Sequence, residues 1–240
     1  MRPDTSPRPA PSPGAGPATP PADPRAALLK DRNFRWMIGG SALSMLGDQF
    51  TLIALPWLVL QMTGDTLVLG TVLALISVPR ALFILIGGAL VDRHSPKQVL
   101  MITKYVNLVL LAALAGLVFA GTLSLWMVYA LSLGIGLATA FSIPAGTAMM
   151  PSVVARTQLQ AANGISLGLR QLTMFLGPLL AGLLIALFGA GDATGAATGT
   201  STHANAAGIG IAFALDALSF AVSAWTLSKV QPHAGLAGAS

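Results

Sequence analysis

Six long apolar segments run along the chain, and short stretches richer in polar residues separate them. An apolar run of roughly 20 residues is long enough to cross the hydrocarbon core of a bilayer as a helix. The pattern therefore predicts an all-α membrane protein with six transmembrane helices. The predicted spans are residues 34–62, 67–91, 99–121, 123–149, 162–189 and 207–228.

The two ends of the chain differ from this apolar middle. Residues 1–26 alternate proline with small and polar residues and offer no apolar face to bury, so we expect a disordered cytoplasmic tail. A docking tail for a partner is the alternative interpretation. No apolar stretch there resembles a signal peptide. Residues 27–228 are expected to form the six-helix bundle, and residues 229–240 a second short cytoplasmic tail.

The cationic residues predict the orientation in the membrane. Lysine and arginine occur before the first span, between spans two and three, between spans four and five, and after span six. The alternate loops, around 63–66, 121–122 and 190–206, contain neither. The positive-inside rule then places both termini in the cytoplasm, as for a protein of the bacterial inner (plasma) membrane. The loop at 190–206 is of low complexity, and residues 151–163 are expected to form a short interfacial helix.

Composition agrees with lipid as the solvent and excludes several functions. Only 9% of the residues are charged, against about 25% in soluble domains, and glutamate is absent. The net charge of +5 is not gathered into a patch with aromatics, so no nucleic-acid partner is expected. There is no cysteine, and the three histidines are far apart, which argues against a metal site. No catalytic or nucleotide-binding motif is present, so neither an enzyme nor a cofactor is expected.

Charged residues inside the predicted spans are the candidate functional groups. A charge at the centre of a bilayer is costly and is therefore expected to face a protein interior and to have a partner. Asp48 in span one and Arg80 in span two are at comparable depth, so we expect them to approach each other or to share a polar cavity. Asp48 either binds and releases a proton as its exposure alternates or forms a static ion pair, and both interpretations stay open.

Three further charges lie in the spans. Arg170 in span five is expected to meet a carboxylate such as Asp92 or an anionic group of a substrate. Asp216, near the middle of span six, is a candidate pathway residue without a partner. Lys104 is only one or two turns into span three, so its side chain is expected to extend back to the cytoplasmic headgroups.

A charged hairpin between spans two and three carries the first family motif. Its pattern is Gly88-x-Leu-x-Asp92-Arg93-x-x-x-Lys97-x-x-Leu. This pattern resembles the loop between helices 2 and 3 of the major facilitator superfamily of transporters. The resemblance implies that Asp92 locks an outward-facing state, while Arg93 and Lys97 make cytoplasmic contacts.

Span five carries a second motif. Gly168, eight further residues, then Gly177-Pro178 and Gly182 resemble the helix motif of antiporters in the same superfamily, with Ala181 where that motif has glycine. Small residues allow two helices to approach closely. A weak internal echo, Arg80-x6-Gly87 and Arg170-x6-Gly177, favours two inverted three-helix repeats.

Residues 34–228 thus resemble the amino-terminal six-helix half of a major facilitator exporter, most similar to the branch that exports drugs, macrolides and siderophores. The resemblance implies alternating access and efflux of small molecules in exchange for protons. The hairpin departs from the family pattern at Ser95 and Pro96, and span four lacks the buried arginine that some proton antiporters use.

The family also has a second six-helix half, which does not occur in these 240 residues. Three hypotheses stay open: a truncated exporter, a half-size transporter that pairs with itself or with another half, and a membrane partner protein that does not transport. Unsatisfied charges on a lone half-bundle favour a partner.

Overall fold

The computed structural model describes residues 24–93, 95–189 and 201–231. The described chain contains a short helix and then six long ones, with one turn of 3₁₀-helix before the fifth long helix. They are α1 (Pro24–Lys30), α2 (Arg32–Thr63), α3 (Thr66–Arg93), α4 (Pro96–Ala120), α5 (Leu125–Val153), the 3₁₀ turn (Arg156–Gln158), α6 (Leu159–Gly189) and α7 (Ser201–Lys229).

Helices α2 to α7 are the six predicted spans, and each is long and apolar enough to cross a membrane. The predicted all-α membrane fold is therefore confirmed. Residues 24–26 of the expected tail form the first turn of α1. The rest of the amino-terminal tail, the core of the low-complexity loop and the end of the carboxyl-terminal tail, at 1–23, 190–200 and 232–240, lie outside the described residues.

The helix ends follow from local sequence. The Asp31 side chain caps α2 by accepting a hydrogen bond from the backbone N–H of Phe34 at 2.9 Å. Gly64 and Gly121 end α2 and α4 with φ of 65°, a left-handed conformation that glycine adopts at little cost.

The expected interfacial helix at 151–163 is wrong as a separate element. Residues up to Val153 continue α5, and the residues from Leu159 onward already belong to α6. Only the 3₁₀ turn Arg156–Gln158 lies between the two long helices. The apolar residues that suggested an independent helix instead pack against the apolar cluster around Phe34 and Met149.

The helix pairings agree with the predicted inverted repeat. The main contacts join α2 with α7, α3 with α5, α4 with α7, α4 with α5, and α2 with α6. In a repeat of three helices, α2, α3 and α4 correspond to α5, α6 and α7. This correspondence turns the α2–α7 pair into α5–α4 and the α3–α5 pair into α6–α2, and it leaves the α4–α7 pair unchanged. The contacts of α6 with α7 are the exception, because their counterpart between α3 and α4 is slight.

Helix α7 occupies the centre of the bundle, since it packs against α2, α4 and α6. In the most apolar stretch of α7, 61% of the residues are buried, against 11% in the corresponding stretch of α3 and 17% in that of α6. Phe213 and Ile209 of α7 are fully buried in the main apolar cluster with Leu55 and Leu114. This leaves α3 and α6 largely uncovered by the described chain, and we call the exposed surface of these two helices, together with that of α2, which contacts both of them, the open face.

Candidate functional site: a buried polar seam between α2, α4 and α7

Small and hydroxyl-bearing residues line the contact between α2 and α7. They recur every three or four positions: Gly40, Ser44, Gly47 and Thr51 on α2, and Asp216, Ser219, Ser223 and Thr226 on α7. A methyl group on Gly40 would overlap the Thr226 hydroxyl, and one on Gly47 would overlap the side chains of Ser219 and Asp216. The two helices are therefore in close contact along a polar interface, which we call the polar seam together with Lys104 and Asn107 of α4.

Asp216 lies at mid-length of α7 and is 1% exposed. Its carboxylate accepts a hydrogen bond from the Thr51 hydroxyl at 2.5 Å. The Ser219 hydroxyl donates to the backbone carbonyl oxygen of Asp216 at 2.7 Å and also lies 3.3 Å from the carboxylate. Asp216 therefore has hydrogen-bond partners from both helices of the seam, whereas the sequence suggested a pathway residue with none.

Lys104 is buried, and its expected extension to the headgroups is wrong. The side chain is 7% exposed and its Nζ donates to the Ser44 hydroxyl at 3.3 Å. The same Nζ lies 5.5 Å from the centre of the Phe220 ring, within range of a cation–π interaction. Lys104 turns inward because α4 packs directly against α7 and presents this position to the seam.

Asp48 follows Gly47 at mid-length of α2, and much of its side chain is exposed on the open face of the bundle. The charges that act on its carboxylate belong to Lys104 and Asp216. The predicted contact of Asp48 with Arg80 is absent from the described residues. Arg80 is exposed on α3, a helix that makes few contacts with α2.

Two polar atoms of the seam have no hydrogen-bond partner in the described structure. They are the side-chain oxygens of Asn107 and Ser223, both buried. Buried polar atoms are normally hydrogen-bonded, to protein or to ordered water. The seam thus has unused hydrogen-bonding capacity close to its charged groups.

Arg170 of α6 is exposed, and no ion pair joins it to another described residue. Within the antiporter-like motif, only Gly177 makes a close contact: a methyl group there would overlap the Gln49 side chain of α2. Gly168 and Gly182 have open space beside them and Pro178 is exposed.

The hairpin between α3 and α4 contacts the end of α7. Lys97 donates to the backbone carbonyl oxygens of Val230 at 2.6 Å and Ser228 at 3.4 Å. Gly88 borders a cavity of about 320 Å³ between α3 and α5, together with Val91, Pro144, Thr147 and Ala148. Asp92 and Arg93 end α3, but their side chains lie outside the described structure.

An apolar groove of about 410 Å³ opens between α2 and α6. Its lining is Gly39, Ala42, Leu43, Leu46, Leu169, Leu172, Thr173, Leu176 and Leu180. Among the described residues, no three metal-ligating side chains come together.

Sequence reasoning found Asp48 and Asp216 but missed the seam that connects them. The small residues of α2 at spacings of three and four were the available signal, because such spacing is typical of closely packed membrane helices. The position of Lys104 could not be judged from one helix alone, since its direction depends on which neighbour α4 meets.

A bundle of six apolar helices with charged residues at an internal seam and on an open face is a multi-pass membrane protein, and charges placed in this way are typical of proton or substrate pathways. The profile of one transporter family, the transmembrane secretion effectors of the major facilitator superfamily, matches residues 24–236. The chain belongs to this family.

Curated relatives carry names of efflux proteins. The chain is 28% identical to macrolide efflux protein A of Streptococcus pyogenes over 149 residues, which are 62% of the chain and 37% of that relative. It is 32% identical to the multidrug efflux pump Tap of Mycolicibacterium fortuitum over 151 residues, covering 60% of the chain and 36% of the pump. The matched region thus spans a little over a third of each relative. No solved structure matches the chain.

Proposed function

We propose that the chain forms the amino-terminal half of a proton-coupled exporter of small molecules that works by alternating access. The polar seam carries this proposal, because two carboxylates and one ammonium group occupy the middle of a membrane bundle. Groups of this kind are costly in a bilayer and are typical of proton and substrate pathways. No enzyme activity is proposed.

Asp48 is the proposed coupling residue. Its side chain is exposed on the open face of the bundle, while Lys104 and Asp216 act on it from the seam. A carboxylate in this position would border the pathway on one side and interact through its charge with a buried cation on the other. Proton binding at Asp48 would therefore change the charge balance of the helices that must move.

The proposed substrates are small, largely apolar molecules. The names of the relatives mention macrolides and multiple drugs. The groove between α2 and α6 offers an apolar wall close to the open face, and the exposed Arg170 lies on α6, which supplies five of the nine lining residues. A partly apolar ligand with a polar group suits these surroundings.

Transport assays on the intact protein test this proposal. Cells that express the protein should accumulate less of a fluorescent drug, and dissipating the proton gradient should abolish the difference. Asp48→Asn should abolish gradient-driven efflux. Asp65→Asn is the matched control, because Asp65 lies in an exposed loop and asparagine can replace its capping hydrogen bond to the Leu67 N–H. Efflux that survives in Asp48→Asn would refute the coupling role.

The proposed location is the bacterial inner membrane with both termini in the cytoplasm. Exposed positions in the loops allow a direct test because the chain has no native cysteine. A membrane-impermeant thiol reagent should label Thr122→Cys in intact cells and Thr157→Cys only after permeabilisation. The reverse pattern would contradict the proposed orientation.

A second candidate function is that of a half-size membrane protein that acts only with a second six-helix half, either its own copy or a separate chain. The exposure of Arg80 and Arg170 on membrane helices favours it, because lipid tails cannot solvate a guanidinium group. Disulfide crosslinking tests it. Phe175→Cys, at a position 77% exposed, should form a crosslinked dimer or heterodimer, whereas Ala212→Cys, fully buried, should not. Equal crosslinking at both positions would contradict this function.

A further inference from the structure

The charged groups of the polar seam and of Asp48 at its edge do not balance when all of them are ionised. Two carboxylates, Asp48 and Asp216, and one ammonium group, Lys104, leave a net charge of −1 at the middle of the bundle. Elsewhere on the described membrane helices the charges near this depth are Arg80 of α3 and Arg170 of α6, and both are exposed on the open face. Helix α5, which also packs against α4, contributes no charged residue.

On α2, Asp48 lies one helical turn from Ser44, which binds Lys104, and one turn from Thr51, which binds Asp216. Lys104 and Asp216 both act on Asp48 through their charges, one attracting and the other repelling its carboxylate. Asp216 makes hydrogen bonds to Thr51 and Ser219. Lys104 is held at the other end of the seam by Ser44, two helical turns from Thr51. The three charged groups thus belong to one continuous set of polar side chains.

One proton on either carboxylate would make this set neutral. Carboxylates that share a site rarely ionise together, because like charges disfavour the second ionisation. When two such groups interact, the proton belongs to the pair rather than to either residue. The unpartnered oxygens of Asn107 and Ser223 offer further acceptors for a proton-bearing group or a water molecule in the seam.

We propose that Asp48, Lys104 and Asp216 act as one proton-binding unit that holds a single proton, and that Lys104 fixes this number by neutralising one of the two carboxylates. The ammonium group of α4 then has the role of the buried cation that α5 lacks. This proposal deepens the proposed function and rests on it only for the use of the proton in transport. Proton release from the unit leaves its charge at −1 and proton binding restores it to zero.

Infrared spectroscopy of the purified protein in lipid tests the unit by counting its protonated carboxyl groups. The protein is taken from its own membrane with any partner that stays bound, and the carbonyl stretching band of protonated carboxyls is measured at neutral pH. The unit should contribute one protonated carboxyl group. Lys104→Met should raise the contribution to two, and Lys104→Arg should keep it at one.

Removal of a carboxylate gives the complementary result. Asp48→Asn and Asp216→Asn should each reduce the contribution to zero, because one carboxylate then balances Lys104. The double variants Lys104→Met/Asp48→Asn and Lys104→Met/Asp216→Asn should each restore one protonated group. Asp65→Asn, in an exposed loop, is the control and should leave the band unchanged.

Several results would overturn the proposal. A single protonated group in Lys104→Met would show that the lysine does not set the number, and a band that persists in Asp48→Asn would show that the carboxylates bind protons independently. If Lys104→Met does not accumulate in the membrane, the amount of folded Lys104→Met/Asp48→Asn protein tests charge balance instead. A recovered double variant would support the proposal, and equal loss of the single and the double variant would count against it. The number of protonated carboxyl groups is measured without transport. If this number is as expected but the protein shows no proton-driven efflux, the proposed function is refuted and the proton-binding unit is not.

Discussion

Replacing Gly47 with alanine measures how closely α2 and α7 pack at the polar seam. The new methyl carbon would overlap the Ser219 hydroxyl and the Asp216 carboxylate, and it would lie 2.9 Å from the Ser219 Cβ. A Cβ cannot rotate out of the way, so either the helices move apart or the hydrogen bonds of Asp216 are lost. Gly39→Ala on the same helix is the matched control, because nothing lies within 4 Å of the methyl group there.

The expected magnitude comes from the difference between the two variants. Both replace a glycine inside a helix and share the gain in helix propensity, about 1 kcal/mol. Only Gly47→Ala overpacks the interface, at a cost of about 1–3 kcal/mol. For a chain of this size, each kcal/mol corresponds to a shift of about 2–4 °C in melting temperature. Gly47→Ala should therefore melt below Gly39→Ala by about 2–12 °C, the product of these two ranges.

Thermal unfolding of the purified variants in the same detergent, followed by tryptophan fluorescence, measures this difference. The larger variant Gly47→Val extends the series and should lower the melting temperature further. If Gly47→Ala and Gly39→Ala melt at the same temperature, the close contact of α2 with α7 does not exist in the folded protein. The assignment of the seam would then fail with it.

Two further predictions concern other contacts of the bundle. Lys97→Met removes two hydrogen bonds to carbonyl oxygens at the end of α7, including the one to Val230. Each bond contributes about 1 kcal/mol, so amide hydrogen exchange at the end of α7 should become faster in this variant, and Lys97→Arg should restore the protection. Unchanged exchange in the methionine variant would contradict the contact. Gly136→Ala would place a methyl group 2.5 Å from the Ile76 carbonyl oxygen and should lower the melting temperature by separating α3 from α5, whereas Gly146→Ala has open space and should not; equal melting would argue against that close approach.

The six helices and their bounds were predictable because each depends only on its own sequence. Lipid excludes unpaired backbone groups, so a long apolar segment has to form a helix whatever its neighbours do. The limits in the structure differ from the prediction by a few residues, and mostly outward, because polar residues at the ends continue the helices. The interfacial helix was wrong for the same reason, since residues up to Val153 extend α5 and those from Leu159 begin α6.

The arrangement of the candidate site was less predictable, because it depends on which helices meet. Asp48 and Arg80 are at similar depth in consecutive helices, yet α2 packs mainly against α7 and α6. Lys104 has the position of a residue that reaches the headgroups, and only the packing of α4 against α7 turns it inward. Depth along a helix can be counted from the sequence, whereas direction around the helix axis requires the partner.

The structure divides the intramembrane charges into two groups with different requirements. Asp216 and Lys104 are buried and have hydrogen-bond partners within the bundle, so neither group needs another chain for its hydrogen bonds. Arg80 and Arg170 are exposed on the least buried helices, where lipid offers no compensating group. The six helices can therefore fold around α7 as one unit, while the face of α3 and α6 requires a polar environment that the described residues do not supply.

Asp48 lies at the boundary between these two regions, because its exposed side chain adjoins the open face and its charge interacts with Lys104 inside the seam. Under the proposed function, a change of charge on the open face would alter the charge balance of the seam through the Asp48 carboxylate, and such a link is a physical requirement for coupling a proton to the movement of the bundle.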